Sequence, residues 1–268
     1  MRVSRALLLP HVVRLSLRAP RDVRSRWDHY WAATADTGDD GDVLWDSSTS
    51  DEPRRYVELL AAHADPALPV IDAGCGNGRY TRALAGRFSR VVGVDIAGPA
   101  IERARQEARR EAGDGAATEF RVADLLDPAV GHALHAELGD CTVFVRGVLH
   151  VLGAADARRM ATTLAALAGT RGTVLLAETD YRGPLLGYLE SLGGGPSGLP
   201  GPLARALAAG LPRPHRFGDA ERDAAFPPAR WEPVLVDHAA TIRTVPLSRA
   251  GVPDSIPGHV AVLRPRPA

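Results

Sequence analysis

The chain has 268 residues, with 32 basic and 32 acidic side chains and a formal net charge of +0 at pH 7. That balance argues against a partner recognised through a phosphate backbone, and no stretch approaches the ~20 apolar residues that a membrane span needs. The two cysteines, Cys75 and Cys141, form no metal-type spacing and read as buried free thiols in a reducing compartment.

Residues 1–24 place Arg2 and Arg5 ahead of an apolar patch. Pro10, His11 and Arg14 interrupt that patch too early for a secretory core, so a tail or a loosely docked amphipathic helix is expected. Residues 25–66 carry Trp27, Tyr30, Trp31, Trp45 and Tyr56, five of the fourteen aromatics, and are expected to form N-terminal helices. The acidic run "DTGDDGD" at 36–42 reads as a solvated loop.

From residue 67 the chain alternates strand-like and helix-like runs. "PVIDAG" is a short β-branched strand, and "GRYTRALAGRF" has helical spacing through Tyr80, Leu84 and Phe88. "RVVGVDI" is a second strand, followed by the helix "GPAIERARQEARREAG" with Pro99 in its first turn and Gly113 at its stop. "TEFRVADLL" and "CTVFVRGVL" are strands three and four; "DARRMATTLAALAG" is a helix and "GTVLLAET" a fifth strand. The alternation predicts a doubly wound, Rossmann-like α/β sheet, mostly parallel and covered on both faces. At 181–230 the pattern breaks into Gly- and Pro-rich segments around one short helix near 202–209. "WEPVLVDHAATIRTVPL" and "GHVAVLRPRP" then read as a closing antiparallel pair.

Ligands of such sheets bind outside the carboxyl ends of the strands. Gly74, Gly76 and Gly78 lie there, where a bare backbone can turn sharply and approach a ligand. Their spacing is not the dinucleotide G-x-G-x-x-G, because Arg79 stands where the third glycine belongs. Asp95 ends the second strand and can accept from both hydroxyls of a ribose. Asp124 follows the third strand and can accept from an exocyclic adenine amine, with Leu125 as an apolar contact. The bland alternative is that both acids cap the helices after them. Asp72, ahead of the glycines, can favour a cationic ligand. The ligand inferred has a nucleoside, a positive centre and no required pyrophosphate.

Taken in order and spacing, "VIDAGCGNGRYT", "VVGVDIA", "RVADLLD", "VFVRGVLHVL" and "GTVLLAET" resemble the successive motifs of class I S-adenosylmethionine-dependent methyltransferases. The resemblance implies a seven-stranded sheet with an antiparallel C-terminal strand, and methyl transfer by direct displacement at sulfonium. It implies that Gly74, Gly76 and Gly78 line the methionine moiety, that Asp95 with Ile96 beside it takes the ribose, and that Asp124 with Leu125 takes the adenine. An N-terminal aromatic such as Tyr30 is implied to contact the methionine end, where its face suits a sulfonium. The segments 25–66 and 181–230 are expected to meet over the cofactor as a lid and a substrate-side insertion on a domain spanning 67–268, with glycines 193–195 allowing movement.

Two residues stand out near the expected transfer point. His150 is either a general base for a hydroxyl or thiol, or a satisfied histidine under the following helix. Arg146 either holds a substrate carboxylate bidentately or pairs with an acid of a neighbouring helix. The expected enzyme is a cytoplasmic monomer or homodimer that O-methylates a small secondary metabolite, with no metal, no nucleic acid and no membrane involved. The alternatives are intramolecular cyclisation or elimination releasing methylthioadenosine, or a cofactor-binding protein without catalysis.

Overall fold

A computed structural model describes residues 20–47, 51–112, 118–196, 198–248 and 252–266. The expectation for residues 1–19 lies outside them. The helices are α1 (Val23–Ala32), α2 (Glu52–His63), α3 (Arg79–Ala85), α4 (Gly98–Ala112), α5 (Pro128–Leu138), α6 (Ala154–Ala168), α7 (Leu185–Ser191), α8 (Gly201–Ala208) and α9 (Asp219–Ala225). The strands are β1 (Val70–Ala73), β2 (Val91–Asp95), β3 (Thr118–Val122), β4 (Thr142–Arg146), β5 (Val174–Thr179), β6 (Trp231–Asp237), β7 (Thr241–Arg243) and β8 (Ser255–Pro265). None of these helices is long and apolar enough to cross a membrane.

The strands form one eight-stranded sheet in the order β3-β2-β1-β4-β5-β8-β6, with the three-residue β7 paired to β8 off that path. β1 to β5 pair in parallel, and β8 runs antiparallel to both β5 and β6. This is the Rossmann-like sheet expected, with seven strands on its main path and one short addition. Every residue of β1, β4 and β5 is buried, which their unbroken apolar runs require of central parallel strands. β3 is an edge, and there Arg121 pairs with Glu119 and with Glu137 of α5. Such charges discourage another chain from adding to the edge. Pro233 sits beside an irregularity in β6, the opposite edge, where a missing N–H breaks no central ladder.

The chain divides into two compact units. The larger comprises residues 51–180, 214–241 and 257–268 and holds the five parallel strands. Its main core joins Ile71, Val92, Val143, Leu164, Leu176 and Trp231. Helix α2, expected within the lid, belongs to this unit, because Tyr56 packs its ring 5.4 Å from that of Phe144 on β4. The second half of the expected insertion belongs here too, since Phe217, Ala225 and Phe226 are buried in the same core as β4 and α6.

The smaller unit draws on residues 1–50, 181–213 and 242–256. In it the N-terminal aromatic segment and the first half of the insertion pack together. Leu44 and Trp45 meet Tyr188, Leu189, Leu192 and Leu203. Trp27, Tyr30, Trp31 and Trp45 stack on one another, with Tyr30 and Trp45 rings 5.4 Å apart. The acidic run at 36–42 is an organised loop rather than a freely solvated one. Asp42 accepts from the Ala35 amide at 2.8 Å and from Arg205 at 2.6 Å, and Asp46 accepts from the Gly38 amide at 2.9 Å. These carboxylates supply acceptors for backbone N–H groups that the turn leaves unpaired.

Helices α5 and α6 touch at Gly131. A Cβ there would lie 2.8 Å from Thr163 Cγ2 and 3.0 Å from its carbonyl oxygen. Alanine gains ~1 kcal/mol of helix propensity over glycine, but forcing the helices apart costs ~1–3 kcal/mol. Gly131→Ala is therefore expected to lower the urea midpoint; a raised midpoint would show that α5 shifts freely.

Candidate functional site

The glycine loop leaves β1 with three left-handed residues, Gly74 at φ 79°, Gly76 at φ 54° and Gly78 at φ 73°. Two of them are also places of close packing. A Cβ on Gly74 would sit 2.4 Å from Val148 Cγ2, and one on Gly78 would sit 2.4 Å from the Phe120 ring. The loop is pinned by Arg82, which donates to the Asn77 carbonyl at 2.7 Å and to Glu107 of α4 at 2.9 Å.

Asp72 stands in the strand that leads into the glycine loop. It is buried in β1 and accepts from Thr81 Oγ1 at 2.6 Å, tying the strand to α3. Burial pushes its carboxyl up to about 7.

Asp95 stands half-buried at the end of β2. One oxygen accepts from the Gly76 amide and the other from the Ala97 amide, both at 2.9 Å. The carboxylate thus fastens the glycine loop to the start of α4, and the capping alternative holds for one of its oxygens. A carboxylate has acceptor capacity for about four bonds, so a ribose diol is compatible with both amides. Ile96 is half-buried beside it. Asp124 accepts from the Leu126 amide at 2.9 Å and is also half-buried, while Leu125 turns into the main core. Two accessible acids at the ends of adjacent strands, beside a loop with no side chain at three positions, fit the ribose, adenine and methionine parts of S-adenosylmethionine.

Residues 70–172 match the model of a methyltransferase domain. A solved S-adenosylmethionine-dependent methyltransferase from Anabaena variabilis is 25% identical, with a TM-score of 0.75 over 93% of this chain and 97% of that one. Residues 70–172 thus carry a methyltransferase domain, and the chain is similar to class I S-adenosylmethionine-dependent methyltransferases. The glycine loop with Asp95 and Asp124 fits S-adenosylmethionine as the cofactor. A magnesium-protoporphyrin O-methyltransferase of Rhodobacter capsulatus is 30% identical over 47% of this chain and 59% of its own length. An uncharacterised RNA methyltransferase of Parasynechococcus marenigrum is 36% identical over 31% of this chain, a segment spanning only 17% of that relative.

Tyr30 belongs to the smaller unit and is wholly buried among Trp27, Trp31 and Trp45, with its hydroxyl 3.4 Å from the Asp42 carbonyl. Its ring is occupied by packing.

Arg146 ends β4 and is buried. Its Nε and Nη2 both donate to Glu52 of α2, at 3.0 and 2.5 Å, and its guanidinium lies 4.8 Å from the centre of the Tyr80 ring. Glu52 also accepts from Tyr56 at 3.1 Å and Tyr80 at 2.6 Å. The ion pair with a helix acid is thus the arrangement found. The donors a substrate carboxylate would need are on Glu52, and the expected substrate role is corrected. Burial raises the Tyr56 and Tyr80 hydroxyls, so both donate as neutral groups.

His150 lies in the 3-10 turn Leu149–Val151 that follows β4. Its Nδ1 is 2.6 Å from Glu178, a fully buried residue on β5. The same carboxylate accepts from the amides of Val148, Leu149 and His150 at 3.1, 2.9 and 3.2 Å. Glu178 and Glu52 went unnamed in the sequence reading. A signal existed for Glu178, an acid closing an otherwise apolar strand, one residue beyond the Ala177 that pairs with Arg146. None existed for Glu52, 94 residues from its partner.

Asp95→Ala is expected to weaken S-adenosylmethionine binding by ~1–3 kcal/mol in calorimetry, since the ribose and the loop lose one ionised acceptor. An affinity equal to the parent's would remove Asp95 from the site. Arg146→Met leaves Glu52 buried without its cation and is expected to cost ~3–5 kcal/mol in urea unfolding, whereas adding Glu52→Gln should recover part of that loss.

Proposed function

We propose that the chain transfers a methyl group from S-adenosylmethionine to an oxygen atom of a small organic molecule, with His150 as the general base. The observation that carries this reading is the contact between His150 Nδ1 and Glu178. An ionised carboxylate only accepts, so Nδ1 holds the proton, and in the neutral ring Nε2 then carries the lone pair. Glu178 is itself held by three backbone amides, so the ring has one defined orientation. A neutral imidazole aimed this way removes a proton from a hydroxyl as it attacks, and Glu178 then stabilises the imidazolium. Bound S-adenosylmethionine supplies the activated methyl carbon. Glu178 acts as a positioning residue and His150 as the catalytic one.

The relative of Rhodobacter capsulatus, an O-methyltransferase, supports oxygen as the acceptor. The net charge of +0 favours a small acceptor over a nucleic acid. The same reading takes the acceptor to be a secondary metabolite met in the cytoplasm by a monomer or homodimer.

The test is a panel of small phenols and alcohols incubated with enzyme and S-adenosylmethionine, with products identified by mass. Acceptor-dependent S-adenosylhomocysteine is expected; methylthioadenosine instead would replace methyl transfer by cyclisation or elimination. With an acceptor found, His150→Ala should lower turnover by ~10²–10⁴-fold while cofactor affinity persists. Glu178→Gln should lower turnover while cofactor affinity persists, since the ring loses its fixed acceptor. Unchanged turnover in His150→Ala would return the histidine to a packing role.

A further inference from the structure

Away from this site, Asp219, His238 and His259 bring one carboxylate oxygen and two imidazole nitrogens within 4.8 Å of one another. They come from three elements. Asp219 is the first residue of α9, His238 follows β6, and His259 lies on β8. Asp219 Oδ2 is 3.6 Å from His238 Nδ1, and Asp219 Oδ1 is 3.9 Å from His259 Nε2. A tetrahedral ion with ligands at ~2.0–2.2 Å sets its donors roughly 3.4 Å apart. The two Asp219 spacings exceed that by about 0.2 and 0.5 Å, and a pair at the 4.8 Å limit of the cluster would close by roughly 1.4 Å through movement of the two exposed partners. His259 is buried and fixed by the strand.

The cluster already draws a cation. Arg222 Nη1 lies 2.7 Å from Asp219 Oδ1 and 3.4 Å from His259 Nε2. Arg222 has separate anchorage, because Nε and Nη2 both donate to Asp223, at 2.9 and 2.7 Å. Because a guanidinium is rigid and planar, an ion enters only if Arg222 turns as a whole about its side-chain torsions and carries its third nitrogen away from Asp219 and His259. Two imidazoles and one carboxylate suit a borderline divalent ion such as zinc or cobalt, with a fourth position left for water.

We propose that Asp219, His238 and His259 bind one divalent ion of the zinc–cobalt class, which clamps α9 to the β6 and β8 edge of the sheet. The clamp has a path to the catalytic turn. Just ahead of α9, the His215 amide donates to the His150 carbonyl at 2.6 Å and the Phe217 amide to the Thr179 carbonyl at 3.1 Å. Holding α9 thus braces the segment that lies against the His150–Glu178 pair.

The experiment uses the full chain without a histidine tag, equilibrium dialysis against Zn²⁺ alone, and an optical titration with Co²⁺ alone. One equivalent of Zn²⁺ is expected, with a raised melting temperature and a Co²⁺ ligand-field spectrum that has no thiolate charge-transfer band. Asp219→Asn and His238→Ala replace exposed side chains and should each weaken Zn²⁺ binding at least ~tenfold. Arg222→Met removes the competing cation and should tighten it. Equal affinity in the parent and the Asp219→Asn/His238→Ala double variant overturns the proposal. So does a thiolate band, which would place the ion on Cys75 or Cys141.

Discussion

Parallel pairing of β1 to β5 brings five strand ends into one line, and nearly everything chemical in this protein follows from that alignment. Ala73 pairs with Val94 and Val145, Asp95 with Val122, and Arg146 with Ala177. Gly74, Asp95, Val122, Arg146 and Ala177 therefore stand in one row, and Ala123, Gly147 and Glu178 emerge one step beyond it. Each strand ends where its backbone stops pairing, so this line is also where unsatisfied amides gather. The acids stationed there answer that need. Asp95 takes the Gly76 and Ala97 amides, Asp124 takes that of Leu126, and Glu178 takes three in succession.

Those acids illustrate two ways of keeping a carboxylate inside a protein. Burying a charge is costly unless donors replace the water it loses. Glu178 is wholly enclosed and meets the cost with three amides and an imidazole. Glu52 does so with a guanidinium and two phenols. Asp72 has the Thr81 hydroxyl and the upward-shifted carboxyl described above. Asp95 and Asp124 are only half-buried, and they are the pair suited to meet a cofactor. The degree of enclosure thus separates the acids that build the site from those that serve it.

The glycines carry a related division. At Gly74 and Gly78 a left-handed backbone coincides with a neighbour, Val148 or Phe120, too close for any Cβ. The bare loop is as much a condition for packing β1, β2 and β4 together as an opening for a ligand. Gly131 has no such conformational demand and is needed only for the contact of α5 with α6.

The order of strands and helices, the parallel sheet and the glycine loop, with an acid after each of β2 and β3, were legible in the sequence. Each depends on residues close together along the chain: a run of β-branched residues, a helical period, an acid directly after a strand. Period and turn chemistry are local, so they survive being read one stretch at a time. What only the tertiary structure decided is which partner each charged or aromatic side chain takes. Arg146 took Glu52 rather than a substrate. Tyr30 took Trp45, and Tyr56 took Phe144, so two aromatics from one N-terminal run were divided between two units. His150 acquired an orientation only when β5 placed Glu178 beside it. These pairings join residues tens of positions apart, and a buried charge or ring will pair with whichever complementary group the fold brings within about 3 to 6 Å. No local pattern encodes that choice, because it is made by the packing of the whole sheet.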